Sequence, residues 1–314
     1  MQRSLIIVGL CLLCSRTAFA PPARPAVLNV LFVRFKVSDW DKAEQFYGQV
    51  LMLPRLNIPV AEGVPTSPQR SRGCFMPQAE CFIINPMQYL EIVANDLHGG
   101  SMIDAVGFST ADADALHAYL MARGLKPERL TSDSASKHFD VLDPEGHRLV
   151  FFQSIGNRLF SVFGSSLPVS NRLIHVGFVV HDREAEDHFY KDILGFHVYW
   201  HGGRKDDETS WVNMQVPDGT DWIEYMLNVP ANADHHTRGV MNHIALGVPD
   251  IHAAEAQLRK NGWSGNEQPK IGRGGKWQLN LYDPDDTRVE LMEFTPAQKP
   301  CCSDYTGPHP GPKQ

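Results

Sequence analysis

The sequence predicts an α+β fold: four strand-helix-strands modules in two pairs, each pair forming a curved mixed sheet around a cleft. Three observations predict it. The segment from Phe32 to Tyr47 aligns without a gap on the segment from His175 to Tyr190, each an apolar run, an Asp, then an amphipathic stretch. Two further segments, Ala105 to Gly124 and His243 to Gly262, follow the same plan. After each of the latter comes an Asp-Pro turn, Asp143-Pro144 or Asp283-Pro284, leading into another apolar run. One such module exposes a face of a small open sheet and must bury it against a partner, so modules are expected in pairs.

Taken in order, residues 1–20 carry Arg3, an apolar run from Leu5 to Cys14, and Ala18-Phe19-Ala20 before two prolines. This reads as a secretory signal peptide, because a membrane span needs about 20 apolar residues. Export to the periplasm or the extracellular space is therefore expected, and this segment is set apart from the fold. Residues 27–155 form the first pair. Asp39 and Asp112 are placed to cap its two helices, and Gly124 suits the left-handed position after the second. Residues 156–170, rich in Ser and Gly, read as a linker. Residues 171–296 form the second pair, with Asp182 and Asp250 as caps and Gly262 matching Gly124. Residues 297–314 read as a Pro/Gly-rich tail.

The balance of 29 Lys and Arg against 36 Asp and Glu gives a net charge of −7. Without a basic block the chain lacks the electrostatic footprint of a nucleic-acid binder. A small-molecule substrate is expected, with no nucleic acid and, after signal cleavage, no membrane. Cys11 and Cys14 leave with the signal. Cys74 and Cys81 either bridge a hairpin or remain two buried thiols, and Cys301-Cys302 has no partner at a zinc-site spacing and receives no catalytic role.

The internal repeat also serves as a comparison between the halves. At matching strand positions the second pair carries His175, Glu224, His243 and Glu290, where the first has Phe32, Glu91, Ala105 and Val150. Imidazole or carboxylate on an inward strand position is costly unless paired or bound to a cation. Four of them, two His and two Glu, suit one divalent ion with sites open to water or substrate. Zn, Ni, Co, Mn and Fe all accept such a set. Glu91 is read as a retained carboxylate without partners. His201, His235 and His236 lie in polar loops and read as exposed histidines near the cleft mouth, while Trp211, Trp222 and Trp277 sit on strands, either lining the pocket or packing in the core.

This pattern resembles the vicinal oxygen chelate superfamily, whose paired βαβββ modules form one metal cleft (the glyoxalase/bleomycin-resistance/dihydroxybiphenyl dioxygenase fold). The second half looks most like bacterial glyoxalase I, with His175 on the first strand, Ile223-Glu224, His243 to Leu246, and Glu290 after Asp283-Pro284-Asp285. The gaps between successive ligands are 49, 19 and 47 residues. The resemblance implies a metal-dependent lyase or isomerase that abstracts a proton next to a carbonyl polarised by the metal. Glu290 or Glu224 is the implied base, and the two His hold the ion. Arg273 to Gly275 resembles the basic Gly-Gly loop that helps hold the glutathione conjugate, which makes Arg273 and the nearby Trp277 candidate substrate residues. Asp286 stands where the family's turn has Gly, a change that Asp tolerates. Export separates the chain from cytosolic glutathione, so the resemblance implies the chemistry without naming the substrate.

Two other readings share the scaffold. An Fe(II) extradiol dioxygenase has the same layout of a degenerate first pair and an active second pair. Its two-His, one-carboxylate triad is met by His175, His243 and Glu290, leaving Glu224 unexplained. The usual Gly-x-His and Tyr of its last hairpin are absent, since no His lies between His252 and His309. A non-catalytic ligand-sequestering protein of the bleomycin-resistance kind commonly lacks the ligands retained here. A second copy of the chain is allowed but not required, because one half supplies all four ligands.

Overall fold

The computed structural model describes residues 23–56, 79–94, 102–133, 136–155 and 167–312. The signal peptide expected at 1–20, Cys74 and most of the 156–170 linker lie outside the described residues. The chain opens with β1 (Val27–Val37) and α1 (Trp40–Glu44), which widens into a π-helical turn over Gln45–Val50. Next come β2 (Glu80–Ile83), β3 (Tyr89–Ala94), β4 (Ile103–Thr110), α2 (Ala113–Ala122), β5 (Thr131–Ser132), β6 (Ser136–Leu142) and β7 (Arg148–Ser154). The second half has β8 (Leu173–Val179), α3 (Arg183–Asp187, widening over His188–Ile193), β9 (His197–Gly202), β10 (Trp211–Gln215) and β11 (Trp222–Met226). A short helix absent from the sequence expectation, α4 (His235–Met241), precedes β12 (His243–Val248), α5 (Ile251–Lys260), β13 (Lys270–Ile271), β14 (Trp277–Tyr282) and β15 (Arg288–Glu293).

The four expected caps are in place. Asp39, Asp112, Asp182 and Asp250 each accept from backbone amides in the first turn of the helix that follows, satisfying donors that no intrahelical carbonyl reaches. Asp286 has φ 64° and Gly146, at the same place in the other Asp-Pro turn, has φ 88°. The Asp thus takes the left-handed conformation that its relative reaches with Gly.

The strands form two curled mixed sheets, ordered β2-β3-β1-β4-β7-β6-β5 and β13-β14-β15-β12-β8-β11-β10-β9. In each, the first strands of two modules run antiparallel at the centre, and each has its own module's last strand parallel beside it. Phe32 faces Tyr89 as His175 faces Trp222. One face of each sheet contributes to a shared apolar core that includes Phe35, Tyr47, Phe108, Val176, Tyr190 and Leu291. The opposite faces line two separate clefts.

The halves lock together by matching contacts. Tyr47 donates to Asp283 Oδ2 (2.9 Å) and Tyr190 to Asp143 Oδ2 (3.0 Å), so each Asp-Pro turn holds the first helix of the other half. Between the sheets, Gln88 Nε2 donates to the Val30 and Leu173 carbonyls at 2.7 and 2.8 Å. These are buried polar groups with partners, as an interior seam requires.

Candidate metal centre

Strand alternation sets the site. On β8, β11, β12 and β15 the residues Val176, Ile223, Ile244, Val289 and Leu291 enter the core, so His175, Glu224, His243 and Glu290 point the other way, into one cleft. The Nε2 atoms of His175 and His243 are 3.1 Å apart. Glu224 Oε2 lies 3.1 Å from His243 Nε2 and 3.9 Å from His175 Nε2. Glu290 Oε2 is 3.9 Å from both. The structure therefore brings His175, Glu224 and His243 within 4.8 Å of one another, with Glu290 beside both imidazoles, on four adjacent strands.

Burial keeps both imidazoles well below the ordinary His range, so they are neutral at neutral pH. His243 Nδ1 is 3.0 Å from the Met241 carbonyl. The N–H therefore sits on Nδ1 and leaves the Nε2 lone pair facing the cluster. Burial pushes Glu290 up to about 7, with Arg288 opposing and Glu224 adding to the rise. Its Oε1 meets no hydrogen-bond partner among the described residues. On the far side, the Asn213 amide donates to Glu224 Oε1 at 2.9 Å and accepts from Trp222 Nε1 at 3.1 Å, an orientation assigned from the network. Inward-facing lone pairs without enough donors are the condition that a cation relieves, so this donor set fits a metal.

The first half shows how the same frame closes. Arg34 stands where the second half has Gly177, and its Nε donates to Glu91 Oε2 at 2.7 Å. The expectation that Glu91 has no partner is thus corrected: a buried guanidinium neutralises it. Phe32, Tyr89, Ala105 and Val150 pack around that pair as a small apolar cluster. In the second half Gly177 leaves the space that His243 occupies, because a Cβ there would lie 2.0 Å from His243 Cε1. Gly177→Ala is expected to displace the imidazole and weaken metal binding by about 100-fold or more, the effect of disturbing a ligand directly. Gly107→Ala meets Phe32 at 2.2 Å instead, and should cost about 1–3 kcal/mol of stability by overpacking while leaving metal content intact. Metal titration and urea unfolding of both variants separate the two effects.

The cleft opens into a cavity of about 460 Å³. Residues 297–312, expected to be a tail, are instead a strap across it. Cys301 N donates to the Arg273 carbonyl (2.9 Å), Trp200 Nε1 to the Cys301 carbonyl (3.1 Å), Tyr305 to the Gly274 carbonyl (2.9 Å) and Thr306 N to the Tyr199 carbonyl (3.0 Å). Cys301 and Cys302 are disulfide-bonded to each other, and Cys81 is also in a disulfide.

Of the remaining candidates, Arg273 borders the cavity but its guanidinium is tied to the Gly203 carbonyl and Asp206, holding the strap side of the wall. Trp277 is corrected. It shares the core-facing side of β14 with Leu279 and Leu281 and meets the His252 ring at 5.0 Å. Trp211 and Trp222 do line the cavity. His235 bonds the Asp285 carbonyl and His236 pairs with Asp286, away from the cluster. Sequence reasoning missed Lys276, which borders the cavity with Gln278 and Asn280. The polar residues at 276, 278 and 280, alternating with Trp277, Leu279 and Leu281, were the available signal.

The chain is similar to several known proteins. The family model described as glyoxalase/bleomycin resistance protein/dioxygenase superfamily matches residues 172–291. The lactoylglutathione lyase of Haemophilus influenzae is 25% identical over 124 residues, 39% of this chain and 92% of that protein. A probable chloroplastic lactoylglutathione lyase of Arabidopsis thaliana is 26% identical over 137 residues, 42% of this chain and only 38% of that protein. Among solved structures, the 2,3-dioxygenase LapB of Pseudomonas sp. KL28 has a TM-score of 0.61 at 17% identity, covering 93% of this chain and 96% of its own. The Mn(II)-bound glyoxalase of Novosphingobium aromaticivorans gives 0.61 at 17% identity, covering 86% and 83%. These structural likenesses establish the fold of both halves. With the match over 172–291 and the two curled sheets of paired modules, the second half is similar in sequence to the glyoxalase/bleomycin resistance protein/dioxygenase superfamily, and both halves have the fold of these solved structures.

Proposed function

We propose that the second half is a divalent-metal enzyme of glyoxalase I type, a lyase or isomerase that moves a proton on a carbon next to a carbonyl. The observation that carries this reading is Glu224. It lies as close to His243 Nε2 as the second imidazole does, which makes a four-residue set of two His and two Glu. The metal, when bound, acts as a Lewis acid on the substrate carbonyl. His175 and His243 hold it as neutral ligands. Glu290 and Glu224 flank the same point, so a carboxylate is at hand to take the proton from carbon and return it to the neighbouring atom. The strap and the ring of Trp222 border the cavity in which that transfer takes place.

A second reading, the Fe(II) extradiol dioxygenase, is supported by the shared two-pair layout and by a two-His, one-carboxylate triad, which His175 and His243 form with either Glu224 or Glu290. Export is proposed with either reading; the disulfides of Cys81 and Cys301-Cys302 fit an oxidising compartment. No helix among the described residues is long and apolar enough to cross a membrane.

Elemental analysis of protein purified with its native metal, followed by a hemithioacetal isomerase assay and oxygen uptake with catechols, tests the proposal. One metal per chain with isomerase turnover and no oxygen consumption is expected. Oxygen consumption with Fe(II) and a catechol would move the assignment to the dioxygenase. Stoichiometric metal with neither activity would favour ligand sequestration.

A further inference from the structure

We propose that Lys276 is the anchor for a carboxylate on the substrate, so that the cleft takes a small carbonyl compound carrying its own negative charge. This deepens the reading above and rests on that cleft being the reaction site. Lys276 is only 2% exposed, and its Nζ has no hydrogen-bond partner among the described residues. The ammonium sits among three rings, 5.0 Å from the centroid of Trp222, 5.3 Å from Tyr305 and 5.7 Å from Tyr199. Ring faces attract a cation but offer no lone pair to its three N–H donors. An ammonium buried in that state is costly, and an oxygen acceptor from outside the protein relieves the cost.

Three further observations point the same way. Lys276 borders the same cavity as Glu224 and Glu290. Trp222 borders both groups, its ring 5.0 Å from Nζ and 4.8 Å from the His175 ring, so an anion on Nζ and the proposed reaction point adjoin the same indole. The lining also reverses the sign of the whole chain: Lys270, Arg273, Lys276, Arg288 and Lys299 stand against two carboxylates, in a protein of net charge −7. Such a local field concentrates anions. Burial lowers the Lys276 ammonium to about 7, with Glu290 opposing, in keeping with a group that lacks a close counter-ion.

The rival role is structural, with Lys276 serving only as counter-charge to Glu290. Two probes of the same shape, pyruvate and 2,3-butanedione, differ in a carboxylate against an acetyl group. Calorimetric titration of both into metal-free protein removes chelation by a metal from the comparison. Pyruvate is expected to bind about tenfold or more tightly, the worth of a charge-assisted hydrogen bond. Lys276→Met should abolish the preference and Lys276→Arg should keep part of it. The Tm of ligand-free Lys276→Met should not fall, because an unpartnered buried charge has been replaced by an apolar side chain of similar size.

Equal or undetectable affinity for the two probes in the parent protein would overturn the proposal, as would a preference that survives in Lys276→Met. A lowered Tm with the preference unchanged would assign Lys276 the structural role. Metal content of the same preparations reads the ligand set separately. Parent protein that prefers pyruvate but never acquires stoichiometric metal would sink the metal reading and leave the lysine anchor standing.

Discussion

His243→Ala is expected to strip the stoichiometric metal from the purified protein and to lower turnover by about 10³-fold or more, the loss of several kcal/mol of charge stabilisation. His175→Ala should do the same. Each ring is completely buried and directs Nε2 at the same point, and for His243 the opposite nitrogen is fixed by the Met241 carbonyl. Elemental analysis and a metal-rescue titration check the result, and undiminished metal in both variants would remove the site. Glu224→Gln then decides between four ligands and a triad. If Glu224 is a ligand, metal affinity should fall by about 10–100-fold, as a weakened coordination sphere predicts. Unchanged affinity would favour the extradiol arrangement.

Arg172→Met is expected to destabilise the fold by about 3–5 kcal/mol at pH 7.5, the largest effect anticipated outside the metal cluster. Arg172 and Asp221 are both buried and paired through two guanidinium nitrogens, and Asp221 Oδ2 also accepts from Val30 N at 3.0 Å across the seam between halves. Without the guanidinium, a carboxylate remains buried with a single amide donor. Burial already raises Asp221 to about 6, against the pull of Arg172. The sign follows. A folded pKa above the unfolded value means that this group's contribution is fully present below about pH 4 and is lost as pH rises through about 6. Losing Arg172 raises that pKa further, so the deficit of the variant should shrink at pH 5, where Asp221 takes up its proton. Urea unfolding at pH 7.5 and pH 5 measures it. Equal deficits at the two values would mean that the stranded charge is not the cause.

Much of the architecture was legible because it is local and periodic. The gapless match of Phe32–Tyr47 to His175–Tyr190 fixed the module, the four Asp caps marked helix starts, and period-2 alternation sent His175, Glu224, His243 and Glu290 to one face. Comparing the halves made the four residues a set. The same alternation, applied to β14, would have turned Trp277 to the core and exposed Lys276 as an inward cation.

Contacts between residues far apart in the chain could not be read this way. Glu91 looked partnerless because Arg34 is 57 positions away and meets it only when β1 and β3 lie side by side. The last residues looked like a tail, since Pro and Gly describe a chain's local freedom and not where it docks; Trp200 and Tyr199 supply the partners that hold them over the cavity. The sequence by itself determined the repeated module and the residues facing each cleft, because strand periodicity is a property of neighbours along the chain. Only the tertiary structure decided that one cleft is filled by an Arg34–Glu91 pair and the other left open beside Lys276, because a buried charge is defined by which distant side chains surround it.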